Sequence, residues 1–346
     1  MKVAILPERL ELVIEDWPLD TGNLGPHDVY VETELTALKI GTDRANYEGT
    51  RPISGAGNSF PRGVGDSTVG IVQDVGGEVS RFKAGDRVVS QTGHRSAYVI
   101  HEDDEGITGN LVKVPGGVHP EDAVYTTLYT LSGFCYTKAR FRPGEYVAVV
   151  GAGVLGIAAI AFGPIFGAQV AAIANSPVRL EMAARMGAHA GFLYGNPDLQ
   201  AKLDEFSLGN GIDLVILTAN PWPAYRTAVE TVRCSGRVAV VSLLGIGEPP
   251  LDFNPLYSGY FYDKGVSLIA VNGEAGDVYP SEAGPRLTRR RRAAHTLSLM
   301  ADGRLEPKRA ITHRMHYTEM KKAYDMAARR EKNMLGVVFD WGDVTG

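Results

Sequence analysis

Hydrophobic and polar positions follow two different spacings along this chain, and the change falls near Ala123. Before it, short β-like runs with apolar residues on one parity are separated by Gly, Pro and Asp turns, which is typical of an irregular, mostly antiparallel barrel. Strands are predicted there at 29–33, 68–75, 87–90 and 97–100. After it, continuous apolar runs alternate with helix-like stretches, and this pattern predicts a parallel, doubly wound α/β sheet.

The second half of the chain allows a more detailed prediction. Strands are expected at 146–150, 169–174, 213–218, 237–243, 266–271 and 336–341, and helices from 154 and at 177–186, 224–232, 293–300 and 318–328. Gly163-Pro164 falls inside the first of these helices, where a proline costs about 3 kcal/mol. We therefore expect that helix to be kinked or to end near Phe162.

Composition and charge narrow the class of protein. The length of 346 residues predicts two domains, at roughly 150 residues for each. Hydrophobic residues make up 44% and the net charge is −5, which favours a globular protein and argues against nucleic acid or an acidic membrane as partner. The basic run 289–292 is expected to be a solvated face, with phosphate binding as the alternative.

The cysteines and the start of the chain indicate a cellular compartment. Cys135 and Cys234 are too few for a disulfide framework or a cysteine-rich zinc site. The first residues lead straight into a predicted strand without the apolar core of a signal peptide. Glycines and a proline interrupt the most apolar stretch, 147–166, which argues against a membrane span. We therefore expect a cytoplasmic protein.

A glycine-rich loop follows the strand predicted at 146–150 and opens the next helix. It matches G-x-G-x-x-G, which in this context predicts dinucleotide binding and out of context is only a turn between packed elements. Gly151 permits the tight turn, Gly153 lets the backbone approach a pyrophosphate, and Gly156 allows close helix–strand packing. The phosphates are expected to face the unpaired N–H groups where the helix begins, at Val154 and Leu155.

The tip of the strand predicted at 169–174 indicates which nicotinamide coenzyme binds. The acidic residue that would hold the ribose of NAD is expected at Ala174, where there is no carboxylate. Asn175, Ser176 and Arg179 could donate hydrogen bonds to a 2′-phosphate; alternatively, Arg179 covers the adenine or caps the surface. The sequence therefore predicts NADP(H) in preference to NAD(H). Further contacts to the ribose and carboxamide are expected from the later loops, at Thr218, Leu243 and Asn272.

Several motifs in this sequence occur together in one known superfamily. They are Gly41-Thr42-Asp43, the stretch from Gly65 to Val72, that from Phe82 to Val88, the glycine loop, and that from Arg179 to Ala188. On these motifs the whole chain resembles the medium-chain dehydrogenase/reductase superfamily. The resemblance implies an α/β fold with a GroES-like β-barrel catalytic domain at 1–124, a doubly wound parallel (Rossmann) NAD(P)-binding domain at 125–274, and a segment, 275–346, that completes the first domain.

The positions that bind zinc in many members of this superfamily carry unsuitable residues here. The resemblance assigns the metal ligands to Ile40, Asp66 and Thr126, none of which supplies a thiolate or an imidazole. A catalytic zinc site needs three protein ligands, so we expect no zinc. The chain is similar to a zinc-independent branch that includes bacteriochlorophyllide-type dehydrogenases and the oxidoreductase half of bi-domain sugar-pathway enzymes. That similarity favours a sugar- or cyclitol-like substrate.

Without zinc, a protein group must handle the charge on the reacting oxygen. The resemblance implies that positions 40, 42, 66 and 126 surround the nicotinamide. Thr42 could then relay a proton, and Asp66, in a partly dry cleft, could act as acid or base. The alternative for Asp66 is a hydrogen bond within its loop.

Other polar residues are further candidates for catalysis or substrate binding. Asp43 is a catalytic candidate whose alternative is an ion pair with Arg44, and His94 is one whose alternative is a surface-loop histidine. Substrate contacts are expected from Ile40, Tyr47, Tyr125 and Thr126. Near the domain junction, Tyr125, Tyr129, Tyr136 or Lys138 could donate to a substrate oxygen, although aromatic residues at such a junction usually pack.

Three functions remain open from the sequence. The leading one is a zinc-independent, NADP(H)-dependent oxidoreductase acting on an alcohol/carbonyl pair. The alternatives are an NADPH-dependent reductase of conjugated C=C bonds in quinones or enones, and a non-catalytic dinucleotide-binding protein. The run 266–271 is expected at the edge of the sheet, where pairing with its copy would form a homodimer.

Overall fold

The chain divides into two units with separate hydrophobic cores. The computed structural model describes residues 1–50, 59–104, 111–272 and 288–342. Unit 1 comprises Met1–Thr127 together with Glu274–Gly346, and unit 2 comprises Leu128–Gly273. Unit 1 is therefore assembled from both ends of the chain.

The elements are named here in chain order. The first segment contains β1 (Lys2–Leu6), β2 (Val13–Asp16), β3 (Asp28–Ala37), α1 (Ile40–Tyr47), β4 (Arg62–Gly63), β5 (Thr68–Val75), β6 (Arg87–Ser90), β7 (Ala97–His101), β8 (Val112–Lys113) and α2 (Pro120–Ala123). The middle segment contains α3 (Thr126–Lys138), β9 (Tyr146–Val150), α4 (Val154–Phe166), β10 (Gln169–Ala174), α5 (Pro177–Arg185), β11 (Ala190–Leu193), α6 (Leu199–Phe206), β12 (Ile212–Leu217), α7 (Trp222–Thr231), β13 (Val232–Val240) and β14 (Ser267–Ala270). The last segment contains α8 (Arg289–Ala301), β15 (Ile311–His316), α9 (Met320–Ala328) and β16 (Gly336–Asp340).

Unit 1 is built on β-sheets. In its described residues, one sheet has the order β15-β16-β3-β5-β6-β8, with β7 also paired to β3, and a smaller sheet has the order β2-β1-β4. The pairings are antiparallel except that β15 runs parallel to β16. The antiparallel sheet predicted from the period-2 runs is therefore present, and the C-terminal strand β16 is part of it.

Strand β3 shows why these residues form a sheet. Val29, Val31 and Thr33 are buried and the residues between them are half-buried, which is the alternation of a strand with one face on a core. Trp341, directly after β16, is fully buried and donates its indole N–H to Thr36 Oγ1 at 3.0 Å. This hydrogen bond joins the end of the chain to β3.

Unit 2 is a parallel sheet covered by helices. Its described strands have the order β11-β10-β9-β12-β13-β14 and are parallel throughout. Residues 147–150 are buried without alternation, as expected for a central strand covered on both faces. The order reverses at β9, which lies between β10 and β12, and doubly wound sheets bind their ligands at the carboxyl ends of the strands at such a point. The predicted doubly wound sheet is confirmed.

Helix α4 differs from the sequence prediction. It does not end near Phe162 but continues through Pro164 to Phe166 and stops at Gly167, which has a φ of 84°. Pro164 lies in the last turn, so only one intrahelical hydrogen bond is lost. Gly163 is packed against β10, where an added Cβ would lie 2.1 Å from a methyl carbon of Val170. Close packing on the sheet therefore outweighs the proline.

Other boundaries also differ from the predictions. Strand β13 begins at Val232 rather than at Arg237, with an irregular register against β12 near Ile212. Strand β1 was predicted from the first residues, but its partner β2, helices α1, α3 and α6 and strands β11 and β15 were not, because their apolar patterns are short or interrupted. Within the described ranges, none of the helices combines the length and the apolar character needed to span a bilayer.

Candidate active site

The glycine loop of unit 2 has the geometry that its sequence predicts. Gly151 has a φ of 102°, and an added Cβ would lie 2.7 Å from Thr218 Oγ1. An added Cβ on Gly156 would lie 1.8 Å from the carbonyl oxygen of Gly151, so this turn of α4 packs directly on the loop. Gly153 precedes α4, and near its Cβ position the structure has only the guanidinium of Arg179, at 3.9 Å. The loop therefore leaves an open backbone surface at the start of a helix, which fits a pyrophosphate.

Thr218 holds this loop in place. Its hydroxyl donates to the carbonyl oxygen of Gly151 at 2.9 Å, and its backbone N–H donates to that of Val150 at 3.0 Å. The Thr218 hydroxyl thus fixes the loop, and the predicted contact of Thr218 with the coenzyme stays a prediction. Leu243 and Asn272, two other predicted coenzyme contacts, are exposed, and Asn272 accepts a hydrogen bond from Lys138 Nζ at 3.1 Å.

The residues predicted to select the coenzyme follow β10. Ala174 and Ser176 are buried, Asn175 is exposed, and the Ser176 side chain makes no capping hydrogen bond to α5. Arg179 donates from Nη1 to the carbonyl oxygen of Ala152 at 3.1 Å, and its burial lowers its pKa. Arg179 therefore packs against the glycine loop, and its contact with a 2′-phosphate, like the alternative of covering the adenine or capping the surface, stays a prediction.

Asp43 connects two loops of unit 1. Its side chain accepts the backbone N–H of Lys39 at 2.7 Å and that of Gly65 at 3.3 Å. The residue is only 1% exposed, and this burial, together with the charge of Asp66, raises its pKa to about 7. The Asp43 side chain thus accepts hydrogen bonds from backbone N–H groups. Arg44, the ion-pair partner considered for Asp43, has its Nε 3.7 Å from Glu48 Oε2. Asp43 thus holds the start of α1 against the loop before β5.

Lys39 and Asp66 form an ion pair beside Asp43. Lys39 Nζ lies 2.6 Å from Asp66 Oδ1, and the two side chains are 12% and 34% exposed. Asp66 follows Gly65, which has a φ of 82° and turns the chain at this point. A side chain at position 65 would not fit, because an added Cβ would lie 2.7 Å from the His94 ring. The left-handed turn therefore allows the carboxylate to reach the ammonium group.

His94 is a buried, neutral residue next to this ion pair. It is 1% exposed, so the alternative of a surface-loop histidine is wrong. Burial lowers its pKa to about 3, against the opposing effect of Asp66, and both ring nitrogens lack a hydrogen-bond partner among the described residues. The ring packs edge-on against Tyr324 and Phe339, with centroids 6.2 and 5.4 Å away. Its environment disfavours the charged form.

Tyr324 completes the cluster from the C-terminal segment. It is fully buried on α9, and burial together with the charges of Asp43 and Asp66 raises its pKa well above the usual value. The structure therefore brings together Asp43, Asp66 and His94, with Thr42 half-buried beside them on α1. Lys39 and Tyr324 were missed from the sequence. Lys39 could have been found from its position, because it directly precedes Ile40, where the resemblance places a metal ligand. Nothing in the sequence around Tyr324 indicates its place in the cluster.

Predicted substrate contacts elsewhere are engaged in internal hydrogen bonds. The Tyr47 hydroxyl donates to the Leu10 carbonyl oxygen at 2.6 Å and lies 2.6 Å from Asp325 Oδ1. Tyr125 is buried and donates to the carbonyl oxygen of Val337 at 3.2 Å. The Tyr136 hydroxyl likewise donates to Ala159 at 2.8 Å. These phenols hold elements together in the present structure.

The residues at the superfamily's metal positions do not fit a zinc ion. Ile40 has no ligand atom, Thr126 donates its hydroxyl to Ala123 at 2.6 Å, and Asp66 already faces the ammonium of Lys39. In the part of the chain that the structure describes, no three His, Cys, Asp or Glu residues are grouped so as to hold a metal ion. Zinc sites use thiolate, imidazole and carboxylate ligands, three or four at a time.

Two families match the chain, one in each half of the sequence. The family described as alcohol dehydrogenase GroES-like domain matches residues 25–125, and that described as zinc-binding dehydrogenase matches residues 154–279. L-threonine 3-dehydrogenase of Anaeromyxobacter sp. (strain K) is 24% identical over 379 aligned positions, covering 99% of each chain. Sorbitol dehydrogenase of Bacillus subtilis (strain 168) is 25% identical over 278 positions, covering 73% of this chain and 78% of that protein.

Solved structures have the same fold. Alcohol dehydrogenase TADH from Thermus sp. ATN1 has a TM-score of 0.78 at 24% identity, covering 98% of this chain and 99% of its own. Galactitol-1-phosphate dehydrogenase from Escherichia coli has a TM-score of 0.78 at 19% identity, covering 98% and 100%. The predicted combination of a GroES-like domain with a Rossmann domain is confirmed. With both domains matched and the glycine loop in the required geometry, this chain belongs to the medium-chain dehydrogenase/reductase superfamily.

Proposed function

We propose that this protein is an NADP(H)-dependent oxidoreductase that interconverts an alcohol and a carbonyl compound without a catalytic zinc ion. The observation that carries the proposal is the 2.6 Å ion pair of Lys39 and Asp66. A carboxylate that would otherwise be free to bind a metal is neutralised by a protein cation. The apolar Ile40 and the internally bonded Thr126 hydroxyl support the same conclusion.

Unit 2 supplies the groups that would hold the coenzyme. Gly153 offers open backbone for the pyrophosphate, and the first N–H groups of α4 point towards it. The lack of a carboxylate at Ala174, with the Ser176 hydroxyl two residues later, supports acceptance of a 2′-phosphate. When bound, the nicotinamide supplies a hydride to the carbonyl carbon, or accepts one from the alcohol in the reverse reaction.

Unit 1 supplies the groups that would act on the reacting oxygen. The hydroxyl of Thr42, half-buried at the start of α1, can pass a proton between this oxygen and water. Asp43 binds two backbone N–H groups, so its contribution is to hold the two loops together. Because the ammonium of Lys39 engages Asp66, we assign Asp66 the role of anchor rather than that of acid or base.

The substrate proposed is a small hydroxylated alcohol or the corresponding carbonyl compound, such as a sugar or a cyclitol. Relatives named for L-threonine and sorbitol, and a structural neighbour named for galactitol-1-phosphate, support this class.

The test is substrate profiling of metal-defined protein. Metal content is measured by plasma mass spectrometry, and NADPH and NADH are assayed with hydroxylated ketones, aldehydes and enones before and after chelation. We expect carbonyl reduction with NADPH at a rate that chelation does not change. A stoichiometric metal required for turnover contradicts zinc independence, and products of C=C reduction alone favour the enone reductase. Tight NADPH binding without turnover favours a non-catalytic protein.

We further propose a homodimer formed at the edge of the parallel sheet. Strand β14 is terminal in the order of the described strands, so one side of its backbone has no strand partner among the described residues. Pairing with a second copy across a twofold axis would cover it. Light scattering should give twice the chain mass of 37.2 kDa. A mass of one chain at micromolar concentration contradicts the dimer.

A further inference from the structure

We propose that Lys39 is a catalytic residue, whose ammonium group binds the substrate oxygen and stabilises the negative charge that forms there, and that Asp66 positions it. This inference rests on the function proposed above. It deepens that function by naming the positive charge that takes over from the metal. Lys39 is not among the residues that the sequence predicts for the chemistry at the oxygen, which include Thr42 and Asp66.

The positive charge of Lys39 lies beside a position that the resemblance assigns to a metal ligand. Asp66 occupies a position that the superfamily resemblance assigns to a metal ligand, and Lys39 directly precedes another, Ile40. The ammonium lies 2.6 Å from the Asp66 carboxylate. The Lys39 ammonium therefore lies against Asp66, the side chain at the expected metal-ligand position. The site thus has a positive charge although its residues do not form a set of zinc ligands.

Hydrogen bonds to Asp43 hold the backbone of Lys39 in place. Its backbone N–H donates to the Asp43 side chain at 2.7 Å, and its carbonyl oxygen accepts the Asp43 backbone N–H at 2.8 Å. Asp43 is itself bound by the N–H of Gly65, the residue before Asp66. Both partners of the ion pair are thus fixed by one buried carboxyl group, an arrangement that pre-orients a charge before the substrate arrives.

The Lys39 ammonium group has more donors than its ion pair with Asp66 uses. A lysine ammonium has three N–H donors, and Asp66 is its one ion-pair partner among the described residues. The Lys39 side chain is 12% exposed, so it is largely withdrawn from water but not sealed off. Electrostatic attraction in such surroundings is stronger than at an open surface. A donor remains for a substrate oxygen.

The reaction step balances without a metal. In the reducing direction a hydride forms the new C–H bond, the C=O π bond breaks, and its electron pair moves to oxygen. The coenzyme is oxidised and the carbonyl compound is reduced by the same two electrons. The oxygen takes its proton from water, and Lys39 remains protonated throughout. The reverse direction oxidises the alcohol by the same path.

The experiment compares three variants of the full-length protein. Lys39→Met removes the charge and keeps the length, Lys39→Arg keeps the charge, and Lys113→Met is the matched control, since Lys113 forms a 2.7 Å ion pair with buried Asp86 in the same unit. We expect Lys39→Met to lower kcat about 100-fold to 1000-fold, as the loss of an oxyanion donor does. The Kd of NADPH should change less than about threefold.

The controls separate catalysis from folding. Lys39→Arg should recover at least about a tenth of the wild-type kcat, and Lys113→Met should keep all of it. If Lys39→Met is unfolded by circular dichroism, Asp66→Asn replaces it. Asp66→Asn keeps the positive charge of Lys39 but removes the carboxylate that positions it. We expect kcat to fall about tenfold at unchanged NADPH affinity. Wild-type kcat in Lys39→Met, or in Asp66→Asn where that variant replaces it, overturns the proposal, as does an equal loss in Lys113→Met.

The outcomes distinguish this inference from the function on which it rests. If wild-type protein turns over without metal and Lys39→Met does so equally well, the role of Lys39 is refuted and the zinc-independent function stands. If wild-type turnover requires a stoichiometric metal, or no carbonyl is reduced, the proposed function fails and the role of Lys39 fails with it.

Discussion

The burial of His94 predicts a specific loss of stability in acid. Burial lowers its pKa to about 3, whereas in the unfolded chain a histidine titrates near 6.5. Between these values the unfolded state binds more protons than the folded state, so the free energy of unfolding falls as the pH falls. The contribution of neutral His94 is fully present above pH 6.5 and is lost progressively towards pH 3.

The size of this effect follows from the same shift. Each unit of pKa difference is worth 1.36 kcal/mol, so the loss between pH 7 and pH 5 is about 2 kcal/mol and approaches about 5 kcal/mol near pH 3. In His94→Phe the titrating group is absent. The new ring can keep the edge-on packing against Tyr324 and Phe339. The variant should therefore gain about 2 kcal/mol relative to wild type between pH 7 and pH 5.

The assay is urea unfolding followed by tryptophan fluorescence in a Trp222→Phe background. The two remaining tryptophans, Trp17 and Trp341, both belong to unit 1. His295→Gln, an exposed position on α8, is the control and should keep the wild-type pH dependence. A difference between His94→Phe and its parent that stays constant from pH 7 to pH 5 would refute the reasoning.

Asp43 changes the pH dependence of the free energy of unfolding in the opposite direction to His94, but it does not affect the comparison of His94→Phe with wild type. Its pKa is raised to about 7, so the folded state binds the extra proton and stability falls as the pH rises from about 4 to 7. The same carboxyl group is present in wild type and in His94→Phe. Its contribution therefore cancels in the difference between the two proteins.

Three further predictions concern the coenzyme loop and the core of unit 1. Gly156→Ala should abolish NADPH binding in calorimetry, because the new Cβ would lie 1.8 Å from the Gly151 oxygen, while Gly63→Ala, with no atom within 4 Å, should bind normally. Ala174→Asp should shift the ratio of kcat/KM from NADPH towards NADH by at least about tenfold, and an unchanged ratio contradicts the assignment. Tyr47→Phe should lower the free energy of unfolding by about 0.5–1.5 kcal/mol in urea titrations, since the Leu10 carbonyl oxygen and the Asp325 carboxylate both lose the hydroxyl that they share.

The coenzyme loop could be predicted from sequence because its determinants are local. The turn at Gly151, the open backbone at Gly153 and the close packing at Gly156 involve a strand and a helix that are consecutive in the chain. The other strands and helices of unit 2, apart from α3, α6 and β11, could be predicted for the same reason. The extent of α4 could not, because the contact of Gly163 with Val170 depends on how the helix lies on the sheet.

The cluster in unit 1 was only partly predictable. Motif resemblance pointed to Asp43 and Asp66, but not to the partner of either. His94 looked like a loop residue from its neighbours in sequence, yet the ring is enclosed by Tyr324 and Phe339 from the far end of the chain. Burial of this kind depends on residues hundreds of positions apart, which no local pattern encodes.

By itself, the sequence determined the change from antiparallel strands to alternating strands and helices, the dinucleotide loop and the lack of thiolate or imidazole side chains at the expected metal positions, because each is a matter of spacing or residue type. Only the tertiary structure decided that Lys39 faces Asp66, that Asp43 holds both of their loops, and that His94 is enclosed and neutral. The physical reason is that charge pairing and desolvation depend on distances through space. Those distances exist only in the folded chain, in which β16 pairs with β3 and α9 packs against α1.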